Sequence, residues 1–206
     1  MKCAINKHLT TFSLFLVLLM WCNISNAEDA LASGGKSPDG RYEVRILKDD
    51  SRDPSNYSYR VVDTSNEKLV KKLDETGGFC EYEGAIQTSK VLWNSSSTLF
   101  GLTDHGTRHS MDLYIFNVQR SGVSEIKIPD YTKEGLSLVG ATECYGTSVV
   151  TLKEWNGDAL TCAFAFDAEI NGSRSPLYKT TFTATVKLSK KGSAQITSMD
   201  KPVPEE

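Results

Sequence analysis

Short runs of strand-forming residues dominate the sequence, and this pattern restricts the fold more than any other feature. From residue 37 to residue 198, runs rich in Val, Ile, Thr, Tyr and Phe are separated by Gly, Asn, Asp and Ser. Such spacing predicts strands joined by turns. Only one helical turn is predicted, near Asp130–Leu136. The fold is therefore expected to be all-β, with antiparallel hairpins and meanders, because a parallel sheet would need crossover helices.

The predicted strands follow one another closely and fit a single all-β domain over residues 37–198. They are Arg41–Leu47, Tyr57–Asp63, Lys68–Leu73, Lys90–Trp93, Thr98–Thr103, Ser110–Val118, Val123–Ile128, Thr147–Lys153, Ala159–Phe166, Tyr178–Leu188 and Ala194–Ser198.

The stretch ALTCAFAF, Ala159–Phe166, shows a clear alternation that constrains its pairing with the preceding strand. Its apolar face comprises Leu160, Cys162, Phe164 and Phe166. A two-residue turn at Asn156-Gly157 would pair Cys162 with Thr151. A shift of one residue pairs Cys162 with Leu152 and Phe164 with Val150, which brings the apolar faces together. We therefore predict a three-residue loop or a bulge at Asn156–Asp158.

Two stretches share a polar turn followed by a strand: SPDGRYEVRI at Ser37–Ile46 and WNSSSTLFGLTD at Trp93–Asp104. DLYIFNV at Asp112–Val118 continues the second one, and WNGDALTCAF at Trp155–Phe164 is a weaker copy. Together they resemble the WD40-like repeats of TolB-type β-propellers, in which a W-S-P-D-G/S turn opens each blade. The resemblance implies a binding scaffold, with the two tryptophans in its core.

The length of the chain limits this resemblance. A propeller of this type closes with six or more blades of roughly 40 residues each, which is more than 206 residues supply. The expected architecture is therefore a propeller-like open sheet stack, a β-sandwich that reuses the motif, or a part of a multichain assembly.

The first 27 residues have the pattern of a secretory signal peptide. Lys2 and Lys7 are followed by a largely apolar run, Leu9–Trp21, and by the small-x-small sequence Ser25-Asn26-Ala27. This pattern predicts cleavage after Ala27 and a soluble mature protein that is periplasmic or secreted, with no membrane insertion after the signal is removed. Residues 28–36 are expected to be a flexible lead-in and residues 199–206 a flexible tail.

Charge and cysteine content narrow the partners and the covalent chemistry. The formal net charge is −3 and basic residues do not cluster, so nucleic acid is not an expected partner. Beyond the signal lie Cys80, Cys144 and Cys162. In an oxidising compartment an odd number indicates one disulfide pair and one free thiol, with the pairing left open. A reactive thiol is the alternative.

The segment TDHGTRHSMD brings His105 and His109 close to Asp104 and Asp112. Imidazole and carboxylate groups can bind zinc or a similar divalent metal. Residues four apart on a strand lie about 13 Å from each other, so the two rings could meet only in a curled loop. The alternative is an exposed hairpin tip with no cofactor.

Three functions remain open from the sequence. The leading one is a non-enzymatic module that binds a protein or an envelope component. The second is a secreted hydrolase or metal-binding protein that uses the His105/His109 loop or a carboxylate pair such as Glu81 and Glu83. The third is a structural subunit of an envelope assembly, which would form a homo-oligomer.

Overall fold

The computed structural model describes residues 29–48, 57–73, 88–107, 109–170, 172–188 and 192–205. In this part of the chain the elements are β1 (Asp29–Lys36), β2 (Tyr42–Lys48), β3 (Tyr57–Asp63), β4 (Lys68–Leu73), β5 (Lys90–Trp93), β6 (Leu99–Thr107), β7 (Ser110–Gln119), β8 (Gly122–Ile126), α1 (Tyr131–Val139), β9 (Ser148–Asn156), β10 (Ala159–Phe166), β11 (Glu169–Ile170), β12 (Ser173–Arg174), β13 (Tyr178–Lys187), β14 (Ser193–Met199) and β15 (Val203–Pro204).

These strands form three four-stranded antiparallel meanders in chain order. Meander I contains β1 to β4, meander II contains β5 to β8, and meander III contains β9, β10, β13 and β14. A short parallel contact between β7 and β9, at Ser110↔Ser148 and Met111↔Val149, joins meanders II and III into one sheet. The all-β class and the antiparallel meanders predicted from the sequence are therefore confirmed.

The meanders stack as an open series, with their first strands side by side. β1 lies against β5, and β5 lies against β9. One core fills the space between meanders I and II, where Tyr59, Phe100 and Phe116 are buried. A second core, with α1 on it, lies between meanders II and III around Phe164 and Phe182. Meander II therefore packs on both of its faces, as the middle layer of a propeller-like stack must.

The turns that open meanders I and II are structurally equivalent. Ser37 and Asn94 each accept, through the side chain, a hydrogen bond from the backbone N–H five residues ahead (2.9 and 3.0 Å). Three residues after each of them, Gly40 and Ser97 have positive φ angles of 71° and 58°. The Asp39 N–H donates to the Ser97 hydroxyl (3.1 Å), so the two turns also touch. The turn between β9 and β10 does not follow this pattern, because it has two residues, Gly157 and Asp158.

A tryptophan side chain also links each meander to the preceding one. Its indole N–H donates a hydrogen bond to a backbone carbonyl on the first strand of that preceding meander. The indole N–H of Trp93 donates to the Gly35 carbonyl on β1 (3.0 Å). In the same way, the indole N–H of Trp155 donates to the Leu92 carbonyl on β5 (2.9 Å). Trp93 is buried and Trp155 half-buried, so both tryptophans pack inside the stack, as the sequence predicts.

The register predicted for the β9–β10 hairpin is confirmed, but the irregularity lies elsewhere. Cys162 pairs with Leu152 and Phe164 with Val150. The extra residue that shifts the ladder is Lys153, since Thr161 pairs with Glu154 and the next residue with Leu152. The bulge therefore lies inside β9, whereas the sequence placed it at Asn156–Asp158.

Both predicted flexible ends contain ordered strands, which corrects the sequence prediction. Within residues 28–36, Asp29–Lys36 forms β1 and pairs with β2. Gly34 lets β1 approach β5 closely, because a Cβ atom there would lie 2.1 Å from the Val91 carbonyl oxygen. Within residues 199–206, Val203–Pro204 forms β15 and pairs with the start of β13. Pairing and packing in the folded protein order these segments, whose local sequence has little strand preference.

The connections differ strongly between the two ends of the stack. At one end, the turn end, the described connections include residues 37–41, 64–67, 94–98, 120–121 and 157–158. At the other, the loop end, they include residues 127–147, 167–170 and 172–177. Hydrogen bonds across the meanders fix this common orientation, since Tyr57 bonds Asp104 at the loop end and Asp39 bonds Ser97 at the turn end. Among the connections that the structure describes, the long ones therefore gather at the loop end.

The predicted helical turn extends to nine residues, Tyr131–Val139, in the loop-end connection between β8 and β9. The Asp130 side chain accepts from the Lys133 N–H (2.9 Å) at its start, and Gly140, with φ 74°, ends it. Within the described ranges, no helix has the length and apolar character that crossing a bilayer requires.

Candidate functional site

Asp104, near the end of β6, is a buried carboxylate that joins meanders I and II at the loop end. Its side chain accepts hydrogen bonds from the hydroxyl groups of Tyr57 (2.7 Å), Tyr59 (3.0 Å) and Ser89 (3.3 Å). Burial and the Asp104 charge raise the pKa of Tyr59, which keeps that hydroxyl protonated as a donor. The Asp104 carboxylate therefore links the two sheets by hydrogen bonds, at a position that is buried from solvent.

The alternation of side chains along β6 places His105 away from the Asp104 carboxylate, and His109 lies in the turn beyond this strand. Asp104 points towards meander I, so its neighbour His105 points to the opposite face. His105 is buried, and its Nε2 atom lies 2.5 Å from the Thr88 hydroxyl. His109 is exposed in the turn between β6 and β7, where its carbonyl accepts from the Ser148 N–H (3.0 Å). His105 therefore lies within β6, and His109 lies in the turn that follows this strand.

Asp112 is the one predicted ligand that lies beside Asp104. The two residues are directly paired across β6 and β7, which places their side chains on the same face. Among the described residues, which include all four predicted ligands, no group of three or more His, Cys, Asp or Glu side chains could hold a metal ion. The predicted set is thus divided into an aspartate pair and two separate histidines.

Asp112 instead lines a cleft of about 480 Å³ near the loop end, between β7, the end of β8 and the start of α1. Its apolar and aromatic lining comprises Leu113, Tyr114, Ile128, Pro129 and Tyr131. Its polar lining comprises Asp112, Glu125, Lys127, Asp130 and Thr132. A concave site that combines apolar surface with polar groups is a candidate ligand site.

The cleft exists because β7 changes its neighbour along its length. Its first two residues pair with β9, whereas β8 pairs with it only from Ile115 onwards. Tyr131 of α1 fills the gap, with its hydroxyl bonded to the backbone of Leu113. The ring of Tyr131 stacks on Phe182 and meets Phe164 edge-on. The second core therefore anchors the wall that α1 contributes.

The electrostatic field of the cleft is negative around Asp112 and Tyr114. Loss of water and the nearby charge of Asp104 raise the pKa of Asp112, although its side chain is exposed on one side. Burial together with the charges of Asp112, Asp104 and Glu125 raises the pKa of Tyr114 to about 12. The carboxylates therefore repel additional negative charge from this cleft.

The described cysteines are not joined to each other, and neither is activated. Cys162 is fully buried, and burial raises the pKa of its thiol to about 12. Burial also raises the pKa of Cys144, whose thiol bonds to the Thr147 carbonyl (3.1 Å). A reactive cysteine needs a lowered pKa, so neither residue fits that role. Cys80 lies outside the described residues, and so do Glu81 and Glu83.

A second polar cluster at the loop end is structural. Asp167 accepts from the N–H groups of Gly146 (2.7 Å) and Thr147 (3.0 Å) and from Arg174 (3.1 Å). Although burial acts to raise it, these donors hold the pKa of Asp167 below its usual value. The Arg174 guanidinium lies 5.0 Å from the centre of the Tyr145 ring. Asp167 therefore fixes the connection before β9 to the one after β10.

Comparison with known proteins assigns no family to the chain. No protein-family model matches the sequence, and no curated protein matches it. The resemblance to WD40-like repeats thus remains a prediction.

Of the residues that line the cleft, the sequence singled out Asp112 alone. Tyr114 and Glu125 show the same alternation as any exposed strand face, and Tyr131 belongs to a helix predicted as a single turn. These residues come together only because β7 pairs with β9 at its start and with β8 further along. No local sequence pattern indicates this change of pairing.

Proposed function

We propose that the protein is an exported, non-enzymatic binding module that holds a protein or an envelope component at its loop end. The observation that supports this proposal is the asymmetry of the connections between strands. Long loops on a rigid β scaffold are the usual carriers of binding residues. The opposite end has short hydrogen-bonded turns, which offer little adaptable surface.

The cleft lies at the end that this proposal assigns to binding. Asp112 is the third residue of β7, which begins at the loop end with Ser110. The raised pKa values of the Cys144 and Cys162 thiols favour this proposal over a hydrolase with either cysteine as its nucleophile.

Export follows from the signal-peptide pattern and has its own measurement. The intact mass of the protein recovered from the exported fraction is expected to correspond to a chain that begins at Glu28. A mass that includes residues 1–27 would contradict the proposed cleavage.

Lysine-directed crosslinking of the protein in its native envelope fraction tests the binding end. Lys90 and Lys179 lie at the loop end, whereas Lys36 and Lys187 lie at the turn end, and all four are exposed. Mass spectrometry is expected to find crosslinks to one partner at Lys90 and Lys179. Crosslinks to a partner mainly at Lys36 and Lys187 would contradict the proposal, and recovery of the protein alone would favour self-association.

A further inference from the structure

We propose that the cleft between β7, β8 and α1 receives a positively charged group on an apolar stem, such as a lysine or arginine side chain of the partner. This inference rests on the proposed function, since it assigns a ligand chemistry to a site on the same end. Two properties of the cleft, its size and its lining, support the proposal.

The size and the apolar part of the lining can accommodate a long side chain. The volume of the cleft, about 480 Å³, exceeds what a single lysine or arginine needs, and its lining includes Leu113, Tyr114 and Ile128. Long basic side chains bury their methylene groups along such surfaces while the charged end remains in polar surroundings. The rings of Tyr114 and Tyr131 add aromatic surfaces, which attract cations.

The carboxylates come from different elements and converge on the same region. Asp112 belongs to β7, Glu125 to β8, and Asp130 precedes α1. Asp112 and Glu125 both act on Tyr114 and line the cleft with it, while the buried Asp104 lies beside Asp112 and outside the cleft. A bound cation would relieve the repulsion between Asp104 and Asp112, which is a gain that a neutral ligand cannot provide.

Among the described residues that line the cleft, Lys127 is the one cation. It competes with a positively charged ligand for the same carboxylates. Replacing it should therefore strengthen binding, whereas replacing Asp112 or Glu125 should weaken it. This opposite response distinguishes charge recognition from simple filling of a cavity.

The test is an NMR titration of ¹⁵N-labelled protein from the exported fraction with N-acetyl-arginine amide. N-acetyl-citrulline amide is the control ligand, because it has nearly the same shape and no charge. The arginine compound is expected to shift the amide signals of residues 112–114, 125–128, 130 and 131 in a saturable manner, and the citrulline compound to leave them unchanged. Equal shifts with both compounds, or shifts outside the cleft, would overturn the proposal.

Variants provide the second readout. Asp112→Asn and Glu125→Gln are expected to weaken arginine binding by about fivefold each, the loss of one exposed charge interaction. Lys127→Gln is expected to strengthen it by about threefold. Asp158→Asn makes the same charge change at the turn end and should have no effect. Equal weakening by Asp158→Asn and Asp112→Asn, or no response to Lys127→Gln, would contradict the inference.

A comparison of two cations identifies the source of the charge. A pentapeptide with one central arginine and blocked ends should bind more tightly than n-butylguanidine, which carries one guanidinium on an apolar stem without a peptide backbone. Tighter binding of n-butylguanidine would assign the cleft to a small free cation and overturn the choice of a protein side chain. The crosslinking experiment tests the loop end independently, so the proposed function and this inference can fail separately.

Discussion

At the scale of single residues, two adjacent aspartates have opposite roles. Asp104 is enclosed and satisfied by hydroxyl donors, so its charge contributes to the contact between meanders I and II. Asp112, its partner across the ladder, is partly exposed and faces the cleft. A partly exposed charge beside a buried one, as Asp112 is beside Asp104, lowers the stability of the fold. Such a feature is typical of binding sites, where function is retained although it reduces stability.

Replacement of Asp104 by Ala should destabilise the protein substantially. The change leaves the buried hydroxyl groups of Tyr57 and Tyr59 without their acceptor, so we expect the free energy of unfolding to fall by about 3 kcal/mol. Urea denaturation of the variant and of Glu154→Ala, an exposed strand position, measures the difference. A loss of under 0.5 kcal/mol for both variants, roughly the range of surface changes, would show that Asp104 does not join the meanders.

Replacement of Asp112 by Asn should have the opposite effect, and the effect should depend on pH. The pKa of Asp112 is raised in the folded protein, so its ionised form opposes folding. We expect a higher melting temperature than wild type at pH 7. The gain should shrink as the pH falls and Asp112 becomes protonated, and should vanish below the unfolded-state pKa of about 4. Thermal unfolding between pH 3 and 7 measures this, and a gain that is constant over the range would contradict it.

At the scale of elements, the strands with alternating apolar residues could be predicted with their register. In β10 an error of one residue would move Phe164 and Phe166 out of the core, so the burial of one face determines the pairing. The bulge at Lys153 could not be located, because an extra residue anywhere between Leu152 and Ala159 restores the same pairing. β1 could not be predicted either, because Gly34 and its neighbours become a strand only through contacts with β2 and β5.

The helix α1 depends on its two ends, and both can be tested. Asp130→Ala removes the acceptor for the Lys133 N–H, and we expect the free energy of unfolding to fall by about 1 kcal/mol. Gly140→Ala meets no atom within 4 Å, so its cost of about 1 kcal/mol should arise from the positive φ angle alone. Chemical denaturation measures both, with Lys133→Ala as a control inside the helix. Unchanged stability of the two end variants would contradict the description of these caps.

At the scale of the whole molecule, the stack has polar outer faces. The outer face of meander I has an ion-pair network in which Arg45 bonds Glu43 and Glu67. The outer face of meander III is rich in threonine, and Thr161 and Thr183 face each other across β10 and β13. Terminal repeats of stacked proteins commonly have polar outer surfaces that stop further stacking. The described outer faces therefore have the polar character expected of the two ends of such a stack.

The repeated tryptophan contact predicts how the layers depend on one another. Trp93→Phe and Trp155→Phe each remove a donor to a backbone carbonyl of the preceding meander, at a cost of about 1–3 kcal/mol. The loss should be larger for Trp93, which is the more buried residue. Denaturant unfolding of both variants measures this, with Tyr145→Phe at the exposed loop end as a control. Wild-type stability of Trp93→Phe would exclude a role for its indole N–H in holding the stack together.

The central claim is that one end of this stack binds a partner and the other end does not. The most direct measurement places a photocrosslinking amino acid at four exposed positions in the native envelope. His109 and Tyr145 lie at the loop end, whereas Ser121 and Asp158 lie at the turn end. The account predicts a crosslinked product of one size at His109, at Tyr145 or at both, and none at Ser121 or Asp158. A partner crosslinked from Ser121 or Asp158, with none from the loop end, would contradict it.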